Sequence, residues 1–182
     1  MALGRGASDP TNRIVYRHDK ILKVMVDAIR EHVDEKFTTV TVDLKHDSEN
    51  YAALPKEGPL LPHIEMLGSL RPDIVLENDK EIIIGELTSP MEHNMASANT
   101  KKAQKYSAFK LPDDDDREVV VLPFEVGARG GVNRTLSCFL TYVGLTKKQV
   151  RVTKEKVSKA AINASQQIFA AKNRKDWIVP PI

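Results

Sequence analysis

Apolar positions recur with helical spacing from His18 to Glu35, where Ile21, Leu22, Met25, Ile29 and Val33 share one stripe, and this predicts an amphipathic helix. The segment FTTVTVDL, residues 37–44, is rich in β-branched residues and predicts a strand. Residues 45–70, with Pro55, Gly58, Pro59 and Pro62, read as a long loop. Two strand patterns follow, DIVLEN at 73–78 and EIIIGEL at 81–87, and the short Asp79-Lys80 link between them predicts a hairpin. Pro90 ends the second strand, and residues 92–110 return to helical spacing. EVVVLPFEV, residues 118–126, is an apolar run expected as a buried strand. After the flexible GARGG turn at 127–131, Asn133 to Tyr142 predicts a short helix stopped near Gly144. Thr146 is placed to cap a final helix whose stripe is Val150, Val157, Ala161, Ala164, Ile168 and Ala171. This order of elements predicts an α/β fold, a mixed central β-sheet flanked by helices.

A chain of 182 residues is the size of one domain. The expected division is a disordered lead at 1–12, a domain at 13–145, and a basic helix and tail at 146–182 packed on or extending that domain. No apolar run approaches the roughly 18 residues that cross a bilayer, so no membrane association is expected. The segment MALGRGASDPTNR lacks the apolar stretch of a secretory signal. Cys138 is the single cysteine, which excludes an intrachain disulfide or a cysteine-rich zinc site, and its apolar surroundings predict a small core residue. An intracellular protein is the expectation. Net charge is +2, but its distribution is uneven. Lys147, Lys148, Arg151, Lys154, Lys156, Lys159, Lys172, Arg174 and Lys175 crowd the end of the chain against Glu155 and Asp176. Such a flank suits the phosphate backbone of nucleic acid, and it equally suits a solvated helix face.

Chemistry concentrates in RPDIVLENDKEIIIGELTSP. Pro72-Asp73 opens one predicted strand, and Glu86 falls thirteen residues later near the end of the next. If the strands pair as a hairpin, the two carboxylates converge. Ile82, Ile84, Glu86 and Thr88 share one face of the second strand, so Glu86 interrupts an apolar series. A carboxylate there costs free energy unless a cation or hydrogen bonds satisfy it. Two converging carboxylates suit Mg²⁺, with Mn²⁺ as a substitute, because that ion takes one or two carboxylates plus water and phosphate oxygens.

A Pro-Asp, a spacer of this length and a Glu on a second strand resemble the PD-(D/E)XK, or restriction-endonuclease-like, nuclease superfamily. The stretches ELTSPMEHN…ANTKKAQKYSAF, EVGARGG and RHDKIL are also similar to blocks of a nuclease-like domain associated with animal retroelements. The likeness spans roughly residues 17–144. It implies a restriction-endonuclease-like core with a long basic C-terminal helix, and a metal-dependent endonuclease that hydrolyses DNA phosphodiester bonds, nicking target or branched DNA. It also implies metal ligands Asp73 and Glu86 and, for a eukaryotic element, a nuclear location. One departure stands out: Thr88 occupies the place of the family's lysine. Some members carry that lysine on the following helix. Here Met95, Ala98, Tyr106 and Phe109 form an inward stripe with Lys102 at its centre and Lys105 at its edge, so Lys102 is preferred over Lys105 and both over Lys101. Lysines so placed also snorkel past a core to solvent.

Other residues divide between roles. His18 lies on the inward side of the first helix and is a candidate for the substrate or water network. Asp19 is expected to support the helix N-terminus, and Asp27, Glu31 and Glu77 to face solvent. Glu92 is either a further ligand or a helix N-terminal charge, and Glu65 has no defined orientation. Arg129, among glycines that let backbone approach closely, is a candidate phosphate contact alongside Lys147, Lys148 and Arg151. A homodimer could use the final helix's stripe, which could equally pack on its own sheet. Two further readings compete with the endonuclease: a catalytically inactive nuclease fold that binds nucleic acid or a protein partner, and an unrelated α/β domain whose acids form structural ion pairs.

Overall fold

The computed structural model describes residues 10–44, 71–94, 104, 106, 111, 113–173 and 179–182. The expected helix over 92–110, apart from its first residues, and the loop at 45–70 fall largely outside that set, as do Lys101, Lys102, Lys105 and Glu65. The chain runs α1 (Pro10–Val33), a 3-10 turn (Asp34–Lys36), β1 (Thr39–Val42), β2 (Ile74–Glu77) and β3 (Glu81–Thr88). A further 3-10 turn (Glu92–Asn94), β4 (Glu118–Glu125), α2 (Arg134–Tyr142) and α3 (Lys147–Ala170) follow among the described residues. The sheet order is β1-β2-β3-β4. β1–β2 and β2–β3 pair antiparallel and β3–β4 parallel, so the protein is α/β with a mixed sheet.

Alternation along the strands divides the sheet between two apolar clusters. Ile74, Leu76, Ile83, Leu87 and Phe124 face the three described α-helices. α1 contributes Ile21, Leu22, Met25 and Ile29, α2 contributes Leu136, Phe139 and Leu140, and α3 contributes Val150, Val157 and Ala161. Each large side chain so buried stabilises the fold by about 1.5–3 kcal/mol before conformational entropy is counted. Gly85 makes room for this packing: a Cβ there would lie 2.9 Å from the Phe139 ring, which stacks on Phe124 with centroids 4.6 Å apart. The opposite face of the sheet buries Val75, Ile82 and Ile84 with Tyr106, against Leu111, Val119 and Val121.

Local signals hold where they were strong. The β2–β3 hairpin is closed by Asn78, whose Oδ1 accepts from the Lys80 and Glu81 backbone N–H groups. Asn133 caps α2, and Thr146 caps α3 in a reciprocal box with Gln149.

Five expectations are corrected. α1 begins at Pro10, not His18, because proline suits a first helical turn; residues 10–12 therefore belong to the helix and not to a lead. Asp19 consequently lies in mid-helix, 1% exposed, and supports no helix terminus. Glu77 is buried, since it shares the parity of Asp73 and Val75, and Arg117 pairs with it at 3.1 Å. Cys138 is exposed, because Leu136, Phe139 and Leu140 turn the other side of α2 to the core. β4 is half-exposed over most of its length because it is the outermost strand of the described sheet, a position that also accommodates Pro123. Asp27 and Glu31 are exposed, as expected.

Candidate acidic site at the sheet end

The hairpin register pairs Ile74 with Gly85, and one step outward the same register sets Asp73 opposite Glu86. Because β2 and β3 are antiparallel, the start of one and the end of the other meet at one end of the sheet. Parity puts both carboxylates on the Val75–Ile84 face. Like charges directly opposite across a ladder repel, so the surroundings must compensate.

They do so with three donors. Asp73 Oδ2 accepts from the Leu87 backbone N–H at 2.7 Å, and Asp73 Oδ1 lies 3.3 Å from His18 Nε2. The other ring nitrogen of His18, Nδ1, lies 3.3 Å from Asp19 Oδ1. An imidazole between two carboxylates is held protonated: burial pulls its pKa down, but the Asp73 charge, hydrogen bonds to Asp19 and Asp73, and the Asp19 charge outweigh it and raise the pKa to about 10. Glu86 is fully buried and accepts from the Tyr106 hydroxyl. That phenol is pushed well above its ordinary pKa by burial, by the bond to Glu86 and by the charges of Glu86 and Asp73, so it remains a donor.

The segment beyond β3 is fastened on two sides. Arg17 of α1 donates to the Ser89 hydroxyl at 3.1 Å and the Ser89 carbonyl at 2.9 Å. Burial lowers the Arg17 pKa while Glu92 opposes that shift. Glu92 itself clasps the GARGG turn, its Oε1 accepting from the Arg129 N–H at 2.6 Å. Partial desolvation raises the Glu92 pKa, and backbone donors at Glu92, Arg129 and Gly131 outweigh it, leaving the pKa lowered.

Of the residues singled out in sequence, Asp73, Glu86 and His18 are brought together. Thr88 lies half-buried at the end of β3. Arg129 is exposed on the turn after β4, and Lys147, Lys148 and Arg151 are exposed on the first turns of α3, apart from the acids. Lys102 and Lys105 lie outside the described residues. Sequence reasoning missed Asp19 as a partner of His18, and Tyr106 as the donor to Glu86. It also passed over Glu125, fully buried at the level of Thr88. Glu125 Oε2 accepts from Asn133 Nδ2 at 2.8 Å and Thr135 Oγ1 at 2.7 Å, and its Oε1 has no hydrogen-bond partner among the described residues. Its signal was available: an acid interrupting the apolar run LPFEV, as Glu86 interrupts IIIGEL.

Among the described residues no group of three or more His, Cys, Asp and Glu side chains is placed to hold a metal ion. The Asp73–Glu86 pair fits the lesser requirement of Mg²⁺, two carboxylates with the remaining positions left to water and phosphate. A cation on Asp73 Oδ1 would compete with the His18 imidazolium that faces the same atom. No helix among the described residues is long and apolar enough to cross a membrane. No protein-family model matches the sequence, and no curated protein is significantly similar to it.

Proposed function

We propose that the protein is a metal-dependent endonuclease acting on DNA phosphodiester bonds, with a restriction-endonuclease-like core and with Asp73 and Glu86 as ligands of Mg²⁺ or Mn²⁺. The observation that carries this reading is the register that sets Asp73 against Glu86 on one face of the sheet. The ion, when bound, would lower the pKa of water and stabilise charge on the phosphate. The chain's own residues prepare the ligands. The Leu87 N–H fixes the Asp73 carboxylate, Tyr106 fixes that of Glu86, and His18 holds a proton at Nε2 beside Asp73. Lys102, with Lys105 as the alternative, is assigned the water-orienting role left open by Thr88. Retroelement activity on target or branched DNA, and a nuclear location, belong to the same reading.

A second reading is a nuclease fold without catalysis that binds nucleic acid or a protein partner. Its support is that Tyr106 and His18 already compensate the two acids, and that Thr88 stands where a lysine is expected.

Metal titration with a supercoiled plasmid and with a branched duplex separates the two. The hydrolytic reading expects Mg²⁺- or Mn²⁺-dependent nicking, lost in Asp73→Ala and in Glu86→Ala while cooperative thermal unfolding is retained. Folded wild-type protein that binds DNA yet never nicks it establishes the second reading. Full activity in Lys102→Ala removes Lys102 from its role.

A further inference from the structure

A cavity of about 490 Å³ opens between α2, the turn after β4 and the first half of α3, in different elements from the acidic pair. Lys147, Arg151, Lys154 and Lys159 line it, and Glu155 is the one acid among its described lining residues. Val132 and Val150 supply its apolar lining and Ser137 a hydroxyl. At 1.5 Å per residue, the four cations stretch along about 18 Å of α3. Their average interval is comparable with the separation of neighbouring phosphates along one strand. One wall is fixed in advance: Ser158 Oγ donates to the Gly130 carbonyl at 2.8 Å and Ser165 Oγ to the Ala128 carbonyl at 2.5 Å. These bonds seat the GARGG turn on α3 and leave Arg129 exposed.

We infer that this groove binds the phosphate backbone of one strand of duplex DNA. Its cations match a polyanion, and a row of point charges on a rigid helix reads backbone and not sequence. None of its described lining residues is aromatic, so they offer no stacking platform of the kind single-stranded nucleic acid uses. The inference rests on the nuclease reading only in naming DNA, and the groove shares no residue with the acidic pair.

The test is fluorescence anisotropy of a labelled short duplex titrated with the full chain in EDTA over a series of salt concentrations. Binding without metal separates the groove from hydrolysis, so a protein that never nicks DNA leaves this result readable. Four phosphate contacts predict a slope of log K against log salt near −3.6, about −0.9 for each contact. The double substitution Arg151→Gln/Lys154→Gln should flatten that slope by about 1.8 and weaken binding about tenfold or more at low salt. Glu155→Gln should tighten binding, because it removes the groove's acid. Lys156→Gln makes the same charge change as one groove substitution at an exposed position outside the lining, and should stay within about twofold of wild type. The inference is overturned if Lys156→Gln weakens binding as much as Arg151→Gln alone, if the duplex fails to bind with steep salt dependence, or if the single strand binds more tightly than the duplex.

Discussion

His18 is the residue on which the charge balance of the acidic end turns. Its side chain is 22% exposed, so part of its pairing energy is screened by water, yet both ring nitrogens face carboxylates. With a folded-state pKa near 10 against an ordinary value near 6.5, the stabilisation it contributes is complete below about pH 6.5. It is lost as pH rises from there through about 10. Thermal unfolding of the metal-free protein should therefore show a Tm that declines across this window. His18→Gln should remove that part of the decline, and equal slopes in the two proteins would refute the assignment. Legibility at this scale divided by range. Glu86 could be read because an acid in a strand of isoleucines is a local anomaly. Tyr106 could be placed on an inward stripe, but its bond to Glu86 spans twenty positions of sequence. Arg117, which matches the buried Glu77, lies forty positions away, and no local pattern announces such a partner.

Elements were most legible where a single cap or turn decides them. Thr146 and Gln149 satisfy each other's backbone N–H groups, and their spacing alone identifies the start of α3. Thr146→Ala should lower stability by about 1 kcal/mol. Denaturant unfolding measures this, and an unchanged midpoint would show that the first turn of α3 frays without cost. The start of α1 was less legible, since its first turns precede the apolar stripe and only Pro10 marks them. The orientation of α2 was ambiguous for a different reason. In LSCFL nearly every position is apolar, so periodicity could not choose between Cys138 and its neighbours, and packing against Phe124 chose Phe139. β4 read as buried because composition does not reveal that a strand ends the sheet.

At the scale of the whole molecule, α3 returns to the start of the chain. The Tyr16 hydroxyl donates to Gln167 Oε1, and Val157 and Ala161 enter the same core as α1. Residues 146–171 are therefore integral to the packing, and the stripe once available for a second copy is largely spent on this chain's own core. Ala161, fully buried, marks a close approach. Ala161→Leu should destabilise by about 1–3 kcal/mol through overpacking. Calorimetry or denaturant titration would show it, and a gain in stability would reveal a void at that point.

Glu92 holds the acidic end and the cationic groove together. Its carboxylate lies where a Cβ on Gly127 would be, 2.6 Å away, and the Arg129 N–H keeps it there. Positions 92 and 127 thus compete for one volume. A related chain with a bulkier residue at 127 is expected to carry a shorter one at 92, and with it a loosened coupling between the strand that presents Glu86 and the helix that presents Arg151. The two residues should drift through evolution as a correlated pair.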